Sequence, residues 1–161
     1  DLAHMAQVLR RAAEHEGTAF VEVYQNCIVF NDGAYDAITD KSLRDDARLL
    51  LEHGKQLIYG KGRDKGVRLR GLEPEAVALG EGGVSEADLV VHDEAAEHGG
   101  LAFCLSQFDA PALPVPLGVF RAVSAPTYED MNLQLHADAE ARKGRGTLAG
   151  LFNSGDTWTI K

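Results

Sequence analysis

The chain has 161 residues, 45% of them apolar, enough to bury a genuine core as one domain or one and a half. Its formal net charge of −9 argues against nucleic acid or an anionic membrane as the main partner. No run approaches a membrane-spanning length, no signal peptide opens the chain, and the distant pair Cys27 and Cys104 makes no disulfide framework, so the compartment reads as reducing and cytoplasmic.

Residues 2–15 place Leu2, Met5, Ala6, Leu9, Ala12 and Ala13 at helical spacing, with Gly17 as the C′ residue. His4 and His15 lack any partner spacing and read as solvated or capping groups. In the next stretch, AFVEVY at 19–24, five of six side chains are apolar or aromatic, which predicts a strand buried on both faces of a parallel sheet. Helix, glycine and buried strand form the second half of a βαβ crossover. Its first half is absent and no methionine opens the chain, so a piece of a larger subunit is expected. Ligands of open α/β sheets bind beyond the carboxyl ends of the strands, where Gln25, Asn26 and Cys27 lie ahead of the turn Asn31-Asp32-Gly33. Cys27 is there either a thiolate ligand or a small buried hydrophobe.

Residues 34–38 fit one helical turn. Beyond them, 48–52 and 55–60 fit two strands about a His53-Gly54 turn, while a helix over 42–53 accommodates the leucines nearly as well. The loop GKGRDKG at 60–66 fits neither nucleotide-binding glycine motif. It does open a basic patch, Lys61, Arg63, Lys65, Arg68 and Arg70, which is either a solvated loop or a docking surface for an acidic partner. Strands over 66–72 and 76–79 are predicted, broken by Glu73-Pro74. A short buried strand at 89–91 runs into His92, Asp93 and Glu94. With His98 these imitate a metal site, but they lack ligand spacing, and Asp93 as a helix N-cap explains them more simply.

A helix through Leu101, Cys104, Leu105 and Phe108 follows, with Cys104 as core packing. Pro111, Pro114 and Pro116 hold an extended segment leading into a strand at 117–123. Thr127, followed by Glu129 and Asp130, caps a final helix that frays through Gly144 and Gly146. The tail at 153–161 carries Trp158, either loose or anchoring an arm on another subunit.

EHEGTAFVEVYQNCIVFNDGAYDA, then LEHGKQLIYGKGRDKGVRL, DLVVHDE, PVPLGVFRAV with PTYED, and DTWTI resemble, in this order, the β subunit of 2-oxoacid:ferredoxin oxidoreductases. The resemblance covers nearly the whole chain and favours the hairpin reading of 48–60. It implies an α/β fold: residues 1–40 as the last helix–strand unit of a parallel sheet that binds thiamine diphosphate, then 41–161 as a mixed α+β C-terminal extension with an arm. It also implies oxidative decarboxylation of a 2-oxoacid, with 2-oxoglutarate the best guess, to an acyl-CoA. The implied cofactors are thiamine diphosphate, Mg2+ and a 4Fe–4S cluster; the implied partners are an α subunit, ferredoxin, CoA and the 2-oxoacid. The family's VEV-x-x-x-C cysteine, here Cys27, implies the fourth cluster ligand. The other cluster cysteines, the GDGD-like magnesium site and the Asn-rich diphosphate stretch have no counterpart in this sequence, and one thiolate does not hold a cluster. The chain alone is therefore expected to bind neither cofactor, to be inactive, and to self-associate through the bare edges of 19–24. The alternatives are a non-catalytic subunit-assembly module and, more weakly, a small-ligand binder using the basic loop.

Overall fold

The computed structural model describes every residue except 157, 159 and 161. Its contacts divide into two units, Asp1–His15 with Ala19–Val123, and Glu16–Thr18 with Ser124–Lys161. The first holds α1 (Leu2–Glu14), α2 (Asp36–Thr39), α3 (Arg44–Ala47), α4 (Gly100–Ser106) and five strands. These are β1 (Arg48–Leu50), β2 (Ile58–Tyr59), β3 (Lys65–Arg70), β4 (Glu73–Ala78) and β5 (Val115–Leu117). β1 and β5 form a parallel pair, and β2-β3-β4 an antiparallel sheet.

The core gathers Leu49, Leu51, Leu57, Val67, Leu105 and Phe108, with Val90, Leu101, Cys104 and Phe120 packed against it. Alternation puts Leu49 and Leu51 on one face of β1 and its continuation. Leu57, Val67 and Val90 are laced together: Leu57 N–H donates to Val90 (2.8 Å), Val67 N–H to Leu57 (2.9 Å) and Val90 N–H to Val67 (2.9 Å). The short buried strand expected at 89–91 does not form: Leu89 is buried, but Val91 is exposed and makes only a single bridge to Gln56. At Gly66 a Cβ would come within 2.4 Å of Leu89, so glycine there lets Leu89 lie directly on β3.

Several expectations need correction. Residues 19–24 form no ladder, and Phe20 is 89% exposed. A strand is defined by its neighbour, and none of the described strands pairs with this segment. The segments 48–52 and 55–60 do not pair with each other. Leu51 N–H instead donates to Leu117 (2.9 Å), and the His53-Gly54 link is drawn sideways by Gly54 N–H to His92 O (2.8 Å). Of the alternative helix over 42–53, only α3 is helical.

Pro74 does not break β4. It pairs with Leu69, and β4 is an edge strand with only β3 beside it, where a missing N–H costs no ladder bond. The hairpin turns at Gly71-Leu72; Gly71 has φ +68° and Leu72 does not, the pattern of a type II′ turn. The strand expected at 117–123 lies instead at Val115–Leu117, inside the proline segment. Leu117 offers its carbonyl to β1, so the backbone of the adjacent Pro116 faces away from the ladder. Gly118 (φ +138°) then passes so close to Leu51 that a Cβ would lie 3.1 Å from its carbonyl oxygen, and the ladder ends.

The second unit holds α5 (Tyr128–Lys143) and α6 (Leu148–Phe152), neither with a buried residue. Thr127 caps α5 as expected: its hydroxyl accepts Asp130 N–H (3.1 Å) while the Asp130 carboxylate accepts Thr127 N–H (3.2 Å). The helix stops at Gly144 (φ +74°). Thr147 caps the unforeseen α6 by accepting Gly150 N–H (3.0 Å). In the tail, Trp158 is exposed, and the expectation for residues 157, 159 and 161 lies outside the described residues.

Candidate functional site around Cys27

The loop after residues 19–24 is organised by local polar contacts. Asn26 closes it as a staple: its side-chain amide donates to Asp32 (2.9 Å) and its amide oxygen accepts Gly33 N–H (3.1 Å). Asn31 N–H donates to Cys27 O (2.9 Å), making a one-residue-pair bridge across the turn. Gly33 (φ +77°) supplies the left-handed step that turns the chain into α2. Tyr24 stacks on Tyr35, with ring centroids 5.1 Å apart, and fastens the two ends of the loop. Burial, followed by the Glu22 charge, raises the Tyr24 phenol above its ordinary range.

This closure sets Cys27 at the start of a tight turn bridged to Asn31. The backbone N–H groups of Phe30 first and then Val29 hold the thiol below its usual range, with burial opposing them and Asn31 adding least. The cysteine is exposed, so it is not a small core hydrophobe. An accessible thiolate carrying several N–H donors is a soft-metal ligand or a nucleophile. Around it Ile28, Val29 and Phe30 stand out into solvent, Phe30 at 90% exposure. Cys104 behaves oppositely. It packs on the core, as expected, and burial pushes its thiol up.

The basic residues are not one uniform patch. Lys65 pairs with Asp46 (2.7 Å), Arg68 with Glu75 directly across the hairpin (3.0 Å), and Arg70 with Glu73 (3.9 Å). Lys61 and Arg63, the latter at φ +51°, make no ion pair among the described residues. The sequence pattern showed five cations; the fold returns a carboxylate to three of them, two from β4 and one from α3.

Residues 92–98 are occupied with one another and with the segment after β5. Buried His92 meets Val119 O through Nε2 (2.8 Å), and Ala122 N–H donates to Glu94 O (2.7 Å). Arg121 donates to Ala96 O (3.1 Å) and Glu97 O (2.6 Å). Asp93 accepts Ala95 N–H (3.0 Å), but it caps a turn, not a helix, because α4 begins only at Gly100. Glu94 reaches α1, where Arg11 grips it in a two-pronged bond (2.8 Å for each nitrogen) that depresses the carboxyl. Sequence reasoning missed this pair. No local spacing joins residues 83 positions apart. Among the described residues no group of three or more His, Cys, Asp or Glu side chains converges for a metal ion.

The chain is similar to a subunit of a 2-oxoacid oxidoreductase. It is 33% identical over 159 residues to the 2-oxoglutarate oxidoreductase subunit KorB of Mycobacterium tuberculosis (strain ATCC 25618 / H37Rv). The match takes in 97% of this chain and 42% of that protein, so the chain spans less than half of the relative's length. The family resemblance drawn from the motifs stands on this identity. No protein-family model matches the chain, and no solved structure does. Among the described residues no helix is long and apolar enough to cross a membrane.

Proposed function

We propose that this chain is the Cys27-bearing part of the β subunit of a 2-oxoacid:ferredoxin oxidoreductase, and that residues 1–40 complete a domain binding thiamine diphosphate and Mg2+. The observation that carries the reading is the exposed Cys27, at the head of a loop closed by Asn26, Asp32 and Gly33, with a thiol lowered by neighbouring backbone N–H groups, in a chain related along 97% of its length to an oxidoreductase subunit. The donor set fits one corner of a 4Fe–4S cluster, which when bound would carry electrons to ferredoxin; the other three ligands lie outside this chain. Cys27 supplies a thiolate, the N–H groups stabilise its charge, and Asn26 and the Tyr24–Tyr35 stack hold the loop in shape. The substrate is 2-oxoglutarate, by the relative's name, and CoA accepts the acyl group. An α subunit is the assembly partner. Lys61 and Arg63, with the paired Lys65, Arg68 and Arg70, form the face toward acidic ferredoxin. The chain by itself is inactive and binds none of these cofactors, and its setting is cytoplasmic.

Cys27→Ser in the intact subunit tests this. The expected result is loss of cluster iron and visible absorbance with an unchanged circular dichroism spectrum. Iron retained at full stoichiometry would remove Cys27 from the ligand set.

A non-catalytic assembly module is the second reading, favoured by the exposed apolar side chains of Phe20, Ile28 and Phe30. Activity of the natural assembly with 2-oxoglutarate, CoA and a viologen dye decides between the two. Turnover that survives removal of Cys27 would support the module.

A further inference from the structure

We propose that Asn26 and Asp32 work as one unit, a positioning pair that holds the backbone at Cys27 and sets how firmly Cys27 keeps its place as a cluster ligand. The proposal rests on the cluster reading above and adds to it which side chains of this chain serve that ligand from a distance.

Three observations carry it. First, residues 19–32 are exposed throughout, Ile28 at 80% and Phe30 at 90%, so no packing into a core fixes the loop. Second, the contacts that close it start from Asn26 and from Cys27 itself. The Asn26 side-chain amide donates to Asp32 (2.9 Å) while its oxygen accepts Gly33 N–H (3.1 Å). Within that ring Asn31 N–H donates to Cys27 O (2.9 Å). Third, the far side of the ring is tied down. Gly33 O accepts Asp36 N–H (3.1 Å) where α2 begins, and α2 carries the buried Ile38. Asn26 thus links the residue beside it, the exposed Cys27, through Gly33 to a helix with a buried anchor.

The chemistry of the pair fixes its direction. A carboxylate only accepts hydrogen bonds and a backbone N–H only donates, so one orientation of the Asn26 amide satisfies both neighbours. Its NH2 faces Asp32 and its oxygen faces Gly33. A flipped amide would set oxygen against carboxylate and NH2 against N–H. Asn26→Asp alone likewise sets two carboxylates against each other. Exchanging the two side chains is different. A carboxylate at position 26 accepts from an amide at position 32 and from Gly33 N–H, so the ring keeps both bonds and the same total charge, with one donor and acceptor reversed.

The experiment uses the natural assembly with the intact subunit. It reads the rate at which a ferrous chelator removes iron, with the electron paramagnetic resonance spectrum of the reduced protein alongside. Asn26→Asp is expected to speed iron release about tenfold and to alter the spectrum, since repulsion between like charges replaces a charge-assisted bond. Asp32→Asn alone is expected to stay within about twofold of wild type, because an amide oxygen still accepts from Asn26. Asn26→Asp combined with Asp32→Asn is expected to return to within about threefold of wild type and to recover its spectrum, as for side chains that act together. Asn26→Ala is expected to speed release about fivefold whether or not Asp32 is changed, since no reversed bond can form. Wild-type iron release from Asn26→Asp, or a double variant no slower than Asn26→Asp, would overturn the proposal and leave Cys27 in the ligand set. Iron retained in Cys27→Ser would overturn the cluster reading itself, and this proposal with it.

Discussion

Residues 48–59 and residues 19–30 are both rich in leucine, isoleucine, valine and aromatics, and they end in opposite states. In the first, Leu49 is fully buried and Leu51, Leu57 and Ile58 are nearly so. In the second, Phe20, Ile28, Val29 and Phe30 are among the most exposed side chains of the chain. Composition does not separate them; neighbours do. Residues 48–51 find a parallel strand more than sixty positions later and residues 58–59 an antiparallel one a few positions later, whereas residues 19–24 find no ladder partner. Burial follows from backbone pairing, which brings a second apolar face into reach. The exposed segment nevertheless holds a closed polar loop, so the shape around Cys27 comes from Asn26 and backbone N–H groups and not from a core.

The sharpest way to break this comparison is truncation in each region. Leu49→Ala opens a cavity between β1 and the α4 side of the core and is expected to cost about 2–5 kcal/mol in urea unfolding. Phe20→Ala in the same chain removes a side chain already in solvent and is expected to change stability by less than about 0.5 kcal/mol. Equal losses would mean that residues 19–24 are buried in solution, by self-association or otherwise.

That contrast also marks what the amino-acid sequence could tell. Features written within a few residues were legible: the periodicity of α1 and α4, the Thr127–Asp130 box, the Asn31-Asp32-Gly33 turn and the packing of Cys104. The leucines at 48–51 announced a strand, but a strand's composition does not name its partner, and the nearby run at 55–60 read as a hairpin where the fold pairs residues 115–117. The prolines misled for a related reason, since Pro74 and Pro116 sit on backbone edges that face away from any ladder, and edges are visible only once the sheet is assembled. At the site, position and family resemblance singled out Cys27, but the backbone N–H groups that lower its thiol belong to the loop's conformation. The basic patch was overcounted because carboxylates from β4 and α3 return to it across the fold.

A smaller effect probes how α1 is held. The helix buries no residue, so the Arg11 grip on Glu94 is its main polar tie to the loop after residues 89–91. Arg11→Ala is expected to cost about 1 kcal/mol at neutral pH, discounted because the Arg11 side chain is half in water. The sign with pH is set by Glu94, whose carboxyl the guanidinium depresses. Stability from the pair is present above the unfolded carboxylate range and is lost as pH falls through the folded value. The two stability–pH curves should therefore converge in acid and separate toward neutrality. Parallel curves would mean that the pair adds no net stabilisation.

The smallest effect sets the two cysteines against each other. Only the thiolate attacks iodoacetamide, so at a given pH the rate follows the ionised fraction. The N–H groups of Phe30, Val29 and Asn31 lower the Cys27 thiol, which moves its rate–pH curve to lower pH. Burial raises the Cys104 thiol and moves its curve the other way. In the metal-free chain at neutral pH, Cys27 is expected to react faster than a free-cysteine peptide, while Cys104 reacts more slowly. Peptide mass mapping of partially alkylated protein reads both sites in one sample. Asn26→Ala removes the staple without touching the sulfur and should bring the Cys27 rate toward the peptide value, because the N–H groups then lose their common aim. If Cys27 kept its advantage without Asn26, loop closure would not be what lowers the thiol, and the turn from 27 to 31 would have to hold the donors unaided.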